Sequence, residues 1–477
     1  MVKKFTVLVI CLLLTVVLLV SCKENYKRDA VPTDDISSAL VESNGGLAVK
    51  KGKYLYYING YAGNTVDNTF GSVLKGAILR AELSEDGTPK VNTNVVIVPK
   101  NVYSSVATSG LYIVGDYLYY SSPSVDKDKT GTVRNGAMYL MRSKLDGTGT
   151  QVIAKFDDFT PVYKVVDGYV LYILNNELHE INLSSKKFDD KLVAEELTAN
   201  YIPPHADDEN SFVNTVFYLK TSEIKTETHN IIWFYRAGSD GPKQAIIGNH
   251  PSYDKSFLEI STGYTLALVE SMYLSSNKLR LIYTKTDSGV NTTSSGTYSF
   301  DFDETMVFDY TKEVRYTAGN NITGLRFLND NTLVASIGTD IYLFGRDVNG
   351  RWSKAFAKAL IPSSSTIISV DESADSITFF FLSSSKIYRV KIIDKSNDGA
   401  FNVKYESEAT EVFSASYNST WQQLDKIGNV IYFWHSGIKD YTYYQDLSKA
   451  VSRNADTMTP KQLSQITKED QAAILTL

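Results

Sequence analysis

Cysteine is nearly missing from this chain: the only two, Cys11 and Cys22, both fall within the first 22 residues. Everything beyond them lacks a thiol, which excludes disulfide stapling, thiol catalysis and cysteine-ligated metal in the body of the protein. Histidine is scarce as well. The five histidines stand at 179, 205, 229, 250 and 435, and none has a second at metal-ligand spacing. No Gly-x-Ser-x-Gly elbow and no His-Glu-x-x-His helix occurs, so two common hydrolase signatures are absent. With only 11 Pro and 29 Gly the long body is not low-complexity sequence. The formal net charge is -6, the two signs are interspersed, and no basic run follows the N-terminus. Nucleic acid is therefore not an expected partner, because phosphate binding needs a concentrated basic face.

Long apolar runs are lacking too, with one exception. Residues 5–20 are uncharged and, apart from Thr6 and Thr15, apolar, preceded by Lys3 and Lys4 and followed by Ser21 and Cys22. This reads as an export signal. At 16 residues it is short for a membrane span of about 20, although an uncleaved anchor is the alternative. Leu19-Val20-Ser21-Cys22 resembles the bacterial lipobox, which has an aliphatic residue first, a small one before the cysteine, and the cysteine itself. The resemblance implies a diacylglyceryl thioether on Cys22 and cleavage just before it. Two acyl chains give the stable anchoring that one does not. The expected organisation is a signal peptide over 1–21, a polar tether over 22–43, a folded body over 44–466 and a tail over 467–477. The chain is expected to be exported and anchored to the cell membrane, facing outside or the periplasm.

What the sequence has in abundance is tyrosine, 32 residues in a chain that is 12% aromatic, a composition that suits pleated sheets. The unit "GDYLYYSS…GAMYLMRSKLDGTGTQVI" over 115–153 recurs in degraded copies. Second strands are expected to start at Tyr54, Tyr117, Tyr169, Val213, Lys278, Thr332, Ser376 and Asn429, about every 54 residues, close to the period of propeller repeats. Several are apolar on both faces, as in "YLYYI" from Tyr54 and "ITFFF" from Ile377, which fits sheets sandwiched between sheets. Third strands of mixed polarity follow, then hairpin turns at Asp86-Gly87, Asp146-Gly147, Asp240-Gly241 and Asn349-Gly350, dipeptides that tolerate positive φ. Four antiparallel strands repeated radially predict an all-β fold, a β-propeller of four-stranded blades. Eight blades are preferred and seven are possible, because the copy at Val213 lacks an obvious first strand. A β-sandwich or two stacked barrels is the rival architecture.

"MYLMRSKLDGTGTQVI", from Met138 to Ile153, resembles the third strand, turn and fourth strand of low-density-lipoprotein-receptor-type YWTD propellers. "GKYLYYING" and "GDYLYYSS" are similar to bacterial members of that group, exported proteins found mostly as lipoproteins. The similarity covers the first three repeats best. The Tyr-Trp-Thr-Asp tetrad itself is absent, so the resemblance implies a fold and assigns no ligand to any residue.

Candidate chemistry is sparse. His205-Ala206-Asp207-Asp208-Glu209 is the densest polar constellation, with imidazole and carboxylates suited to a divalent ion, and equally a solvated acidic loop after Pro203-Pro204. Asp126-Lys127-Asp128 opens like a calcium loop, but Ala137 stands where the bidentate Glu is required. Asp301-Phe302-Asp303-Glu304 reads as an exposed turn, and His435 either lines a channel mouth or is structural. In a propeller the second-to-third-strand connections share one end with the links between blades. They are long over 60–75, 121–135, 221–229 and 286–295, and very short at Asn175-Asn176, and long loops in tight repeats tend to carry function. Asn64, Asp67, Asn68, Asp126, Asp128, His205 and Asp207 are the candidate ligand-binding residues. No catalytic or metal-ligating residue is assigned, and no cofactor is expected. The expected function is a monomeric, non-enzymatic module that binds a protein, peptide or glycan. The alternative is a propeller hydrolase or lyase with His205, His250 or His435 beside a carboxylate in the central channel.

Overall fold

The computed structural model describes residues 29–470, apart from 63–67, 104–109, 126–136, 157–161, 202–211, 248–263, 288–295, 355–364, 415–420, 436–439, 450–460 and shorter pieces between strands. Within the described residues the chain forms eight antiparallel sheets in sequence order, seven of four strands and one of five. They span residues 41–98, 112–156, 162–194, 197–247, 264–318, 322–354, 365–414 and 421–462, and are numbered here as sheets 1 to 8. Each strand pairs with the one before it in sequence, so every sheet is a meander.

Apolar clusters fill the seams in turn. Tyr163 and Tyr172 of sheet 3 pack with Tyr112 and Leu140 of sheet 2, and Leu171 with Val216 of sheet 4. Phe217 and Phe234 meet Leu281 and Phe302, Ile282 meets Leu333, Val334 meets Phe379, and Phe380 meets Phe433. The last cluster joins Tyr432 and Trp434 of sheet 8 to Val49 and Tyr56 of sheet 1 and Tyr120 of sheet 2. Sheet packed on sheet around a closed circuit makes this a β-propeller. Second strands are the most buried elements; all five residues of Tyr54–Ile58 are buried, as expected of a strand covered on both faces.

Second strands begin at Tyr54, Tyr117, Tyr169, Lys278, Thr332 and Ser376, as the alternation predicts, and at Val430, one residue after the expected Asn429. In sheet 4 the second strand is Thr215–Ile224 rather than starting at Val213, and its first strand, which the sequence does not reveal, is Leu197–Tyr201. The expected long loop over 221–229 is a correction: Thr215–Ile224 and Glu227–Arg236 stay paired up to Ile224 opposite Glu227. Asp86 and Asp146 each accept the backbone N–H and hydroxyl of the Thr two residues on, while Gly87 and Gly147 take φ of 80° and 82°. In sheet 4 the left-handed position falls on Gly238 and not on Gly241.

A hydrogen-bonded belt ties the innermost strands together. In sheet 8 the Asp425 carboxylate accepts the backbone N–H of Leu47 at 2.5 Å and of Ala48 at 3.1 Å, both in sheet 1 or just before it. Ahead of sheets 1 and 2 two loops clasp each other, Gly45 N to Leu111 O and Leu111 N to Gly46 O, both 2.8 Å, and Asn44 bonds both backbone groups of Ile113. From sheet 3 the Tyr163 hydroxyl donates to Gly110 O at 2.6 Å, and Tyr112 OH returns a bond to Tyr163 O. On the last sheet Lys461–Gln462 forms the fourth strand, and Leu463 O accepts Asn94 Nδ2 of sheet 1 at 2.7 Å.

The described part of the expected tether, residues 29–43, lies against the sheets. Val31 N donates to Asp146 O at 3.1 Å, Pro32 O accepts Arg80 Nη2 at 2.6 Å, Asp34 pairs with Lys53, and Ser37 O accepts Lys51 Nζ. Val41–Glu42 then adds an edge strand to sheet 1. The polar composition of this stretch hides its docking because the contacts run through backbone carbonyls and exposed charges.

Candidate binding end of the propeller

An antiparallel meander puts its first and third turns at one end and its middle connection at the other. The connections 59–77 of sheet 1 and 124–137 of sheet 2 therefore leave and re-enter their sheets at the end shared with the inter-sheet links. Their roots are fixed by a buried polar layer. Asn68 Oδ1 accepts Asn101 N at 2.7 Å, while its Nδ2 donates to Ser122 Oγ at 2.9 Å and to Pro123 O. Ser122 Oγ donates in turn to Asn101 O at 2.6 Å. Asn68, Lys100, Asn101, Ser121, Ser122 and Ser124 are all buried, and buried polar groups of this kind cost free energy unless bonded.

Sheet 8 joins the same framework through Thr442. Its hydroxyl donates to Ile58 O and accepts Gly60 N at 3.0 Å and Trp434 Nε1 at 2.9 Å. Tyr61 tilts over Trp434 with ring centroids 5.4 Å apart, and Lys75 reaches the exposed Asp440 at 2.8 Å. Tyr61, Phe70 and Tyr103 are half-buried here, leaving aromatic surface that combines an apolar face with a polar edge.

Of the candidate residues, Asn68 is the one described, and it is corrected from ligand contact to framework: its amide is spent on the chain itself. Asn64, Asp67, Asp126, Asp128, His205 and Asp207 lie outside the described residues, as do Cys22 and His250. His435 belongs to the second strand of sheet 8, opposite Trp421. Asp301 is not in an exposed turn but holds Arg280 through two bonds of 2.6 and 2.7 Å, while Asp303 caps the turn at Thr305. Among the described residues no group of three or more His, Cys, Asp or Glu is placed to hold a metal, and no helix is long and apolar enough to cross a membrane.

Two charged features escape the sequence reading. On the third strand of sheet 3, His179 sits between carboxylates, Nε2 3.2 Å from Glu177 and Nδ1 3.3 Å from Asp190. Its ring stacks on Tyr172 at 4.7 Å, and Tyr172 OH donates to Asp190 at 2.6 Å. The Asp190 contact, opposed by burial and aided by Glu177, holds the imidazole above its ordinary 6.5. The alternate spacing Glu177-x-His179 is the signal for this pair, since residues two apart share a strand face. Because the folded pKa is raised, the stabilisation is complete below pH 6.5 and is lost as pH rises through the folded value. Asp190→Asn is expected to bring the His179 titration, followed by NMR of the ring protons, down toward 6.5; an unmoved titration would remove Asp190 as the cause. The second feature is Lys164, on the innermost strand of sheet 3, which is buried with no hydrogen-bond partner for Nζ. Burial pulls its pKa down to about 7, and no local pattern marks it.

No protein-family model matches this sequence, and no curated protein matches it. Among solved structures, a prolyl endopeptidase is similar at 11% identity and a TM-score of 0.42, over 77% of this chain and 51% of that one, so the chain spans about half its length. A eukaryotic initiation factor is similar at 11% identity and 0.40, over 90% and 99%. A streptogramin B lyase is similar at 12% and 0.31, over 71% and 92%. Such distant likenesses say nothing of activity or partner, and the fold stands on its own strand pairing.

Proposed function

We propose that this chain is a lipid-anchored, extracytoplasmic β-propeller of the YWTD-like lipoprotein type, acting as a non-enzymatic binding module of the cell envelope. The observation behind it is the contrast at one end of the molecule. There, the adjacent connections 59–77 and 124–137 are rooted in a hydrogen-bonded base of Asn68, Asn101, Ser122 and Thr442, while at the opposite end sheets 1 to 3 turn through short hairpins at 52–53, 84–88, 115–116, 145–150, 167–168 and 183–189. A rigid scaffold under long loops is the arrangement in which recognition residues are usually found. The lipobox at Cys22 supports the anchoring, and the half-buried Tyr61, Phe70 and Tyr103 suit a peptide or glycan surface.

The buried base dictates how the proposal is tested. Deleting 60–75 wholesale would remove Asn68 and unfold the seam, so the deletions belong at 63–67 and 127–134. These are expected to abolish capture of a partner by crosslinking in the native envelope while leaving the urea midpoint nearly unchanged. Undiminished capture by the stable double deletion would exclude this end as the binding surface.

A further inference from the structure

From the course of residues 29–42 we infer that the propeller stands on the membrane with its hairpin end down and its long connections pointing away from the bilayer. This rests on the proposed lipidation of Cys22. The chain enters the fold at one end only. Val31 N bonds Asp146 O in the third turn of sheet 2, Asp34 pairs with Lys53 beside the first turn of sheet 1, and Gly52 in that turn lies against Ile36 and Ala39. Counted without the short edge strand Val41–Glu42, the turns of sheet 1 at 52–53 and 84–88 share an end, as do those of sheet 2 at 115–116 and 145–150, so all three contacts lie opposite the roots of the connections 59–77 and 124–137.

The anchor is close to this point. Seven residues lead from Cys22 to Asp29, and a fully extended chain covers at most about 25 Å in that number. The hairpin end must therefore lie within roughly that distance of the headgroups, and in the inferred orientation the other end is a strand length further away. Along Asp190–Ala194, five residues, that length is about 17 Å.

On sheets 1 to 3, where the chain enters, the hairpin end is not a basic surface that would adsorb by itself: Lys53, Lys186 and Lys187 share its turns with Glu85, Asp86, Asp116, Asp146, Asp167 and Asp189, and Asp34 pairs with Lys53. Orientation is set by the covalent leash and the docked segment, not by attraction to anionic lipid, and should be insensitive to salt.

The thiol-poor sequence gives a direct test. Once Cys22 carries its thioether, a single introduced cysteine is the sole labelling site. Glu85→Cys and Lys186→Cys place a donor dye on exposed turns of the hairpin end, and Glu195→Cys places one beyond Ala194 at the opposite end of sheet 3. The full-length lipidated protein is reconstituted in vesicles of zwitterionic phospholipid containing a lipid-bound acceptor dye. Incorporation of radiolabelled palmitate is measured in parallel with Cys22→Ser as the negative control. The expected result is palmitate labelling, with energy transfer from positions 85 and 186 exceeding that from 195 by roughly twofold or more, given the level difference of about 17 Å, and unchanged at high salt. Palmitate labelling with equal or reversed transfer overturns the orientation and leaves the anchored module standing. Absence of palmitate labelling overturns the anchoring and this inference with it.

Discussion

Asp425→Ala is expected to destabilise the protein by about 2–4 kcal/mol at pH 5, because it orphans two buried backbone donors, Leu47 N and Ala48 N, at about 1–2 kcal/mol each. The effect should shrink above pH 6. Burial, partly offset by those two bonds, raises the Asp425 pKa from 3.8 to about 6. Stability from the protonated form is thus present below about pH 4 and lost as pH rises through about 6, and the difference corresponds to about 3 kcal/mol. At neutral pH the wild type already carries a buried carboxylate. Asp425→Asn keeps an acceptor without the charge and is expected to exceed the wild type modestly at pH 5 and by more at pH 7.5, and to flatten the profile between. Urea midpoints of the three proteins at both pH values decide this. A wild type equally stable at both, or an alanine variant indistinguishable from it at pH 5, would show that the seam is held by apolar packing alone.

Gly110→Ala is expected to cost about 3 kcal/mol or more, at the upper range of overpacking substitutions. A Cβ there would stand 1.9 Å from Gly45 O and 2.7 Å from Gly46 O. Both are backbone atoms of the facing loop, so no side chain can swing aside. Relief requires the two loops to part, which breaks Gly45 N to Leu111 O and Leu111 N to Gly46 O and disturbs the acceptor of Tyr163 OH. Gly115→Ala serves as the comparison: its φ is 57°, so it carries the backbone strain of a left-handed alanine, but it meets no atom within 4 Å. If Gly110→Ala unfolds at the same urea concentration as Gly115→Ala, close approach of the loops is not what fixes sheet 1 beside sheet 2.

The fold was legible because its information is local. The two-residue period of "YLYYI" and "YLYY" and the Asp-Gly turns after Leu83 and Leu145 act within a hairpin, and the strands begin at Tyr54, Tyr117 and Tyr169 accordingly. Legibility failed where strands run past the pattern, as at Thr215–Ile224, whose polar tip from Lys220 to Glu223 reads as loop yet remains in the ladder. The site was less legible for a different reason. Asn68 was recognised as a notable polar residue, but burial decides whether an amide meets a ligand or its own chain, and Asn101 and Ser122 bury it from 33 and 54 residues away. Asp425 in "WQQLDKI" resembles any solvated strand residue; only the closeness of Gly46, which leaves a Cβ no room beside the carboxylate, makes it a clasp.

The eighth sheet is built wholly from the C-terminal strands and the first wholly from N-terminal ones. Among the described residues no strand is contributed across the seam from the far end of the chain, so its closure has an order in time. Ala48 and Asp425 are 377 residues apart, and bringing such distant points together costs on the order of 5 kcal/mol of chain entropy. That cost is met only when the last strands arrive. Synthesised or, under the proposed export, translocated from its N-terminus, the chain presents Tyr56, Val49 and Leu47 as an unsealed edge until Trp434, Thr442 and Leu463 follow. During that interval the incomplete protein is the species most exposed to proteases and most in need of a chaperone's cover.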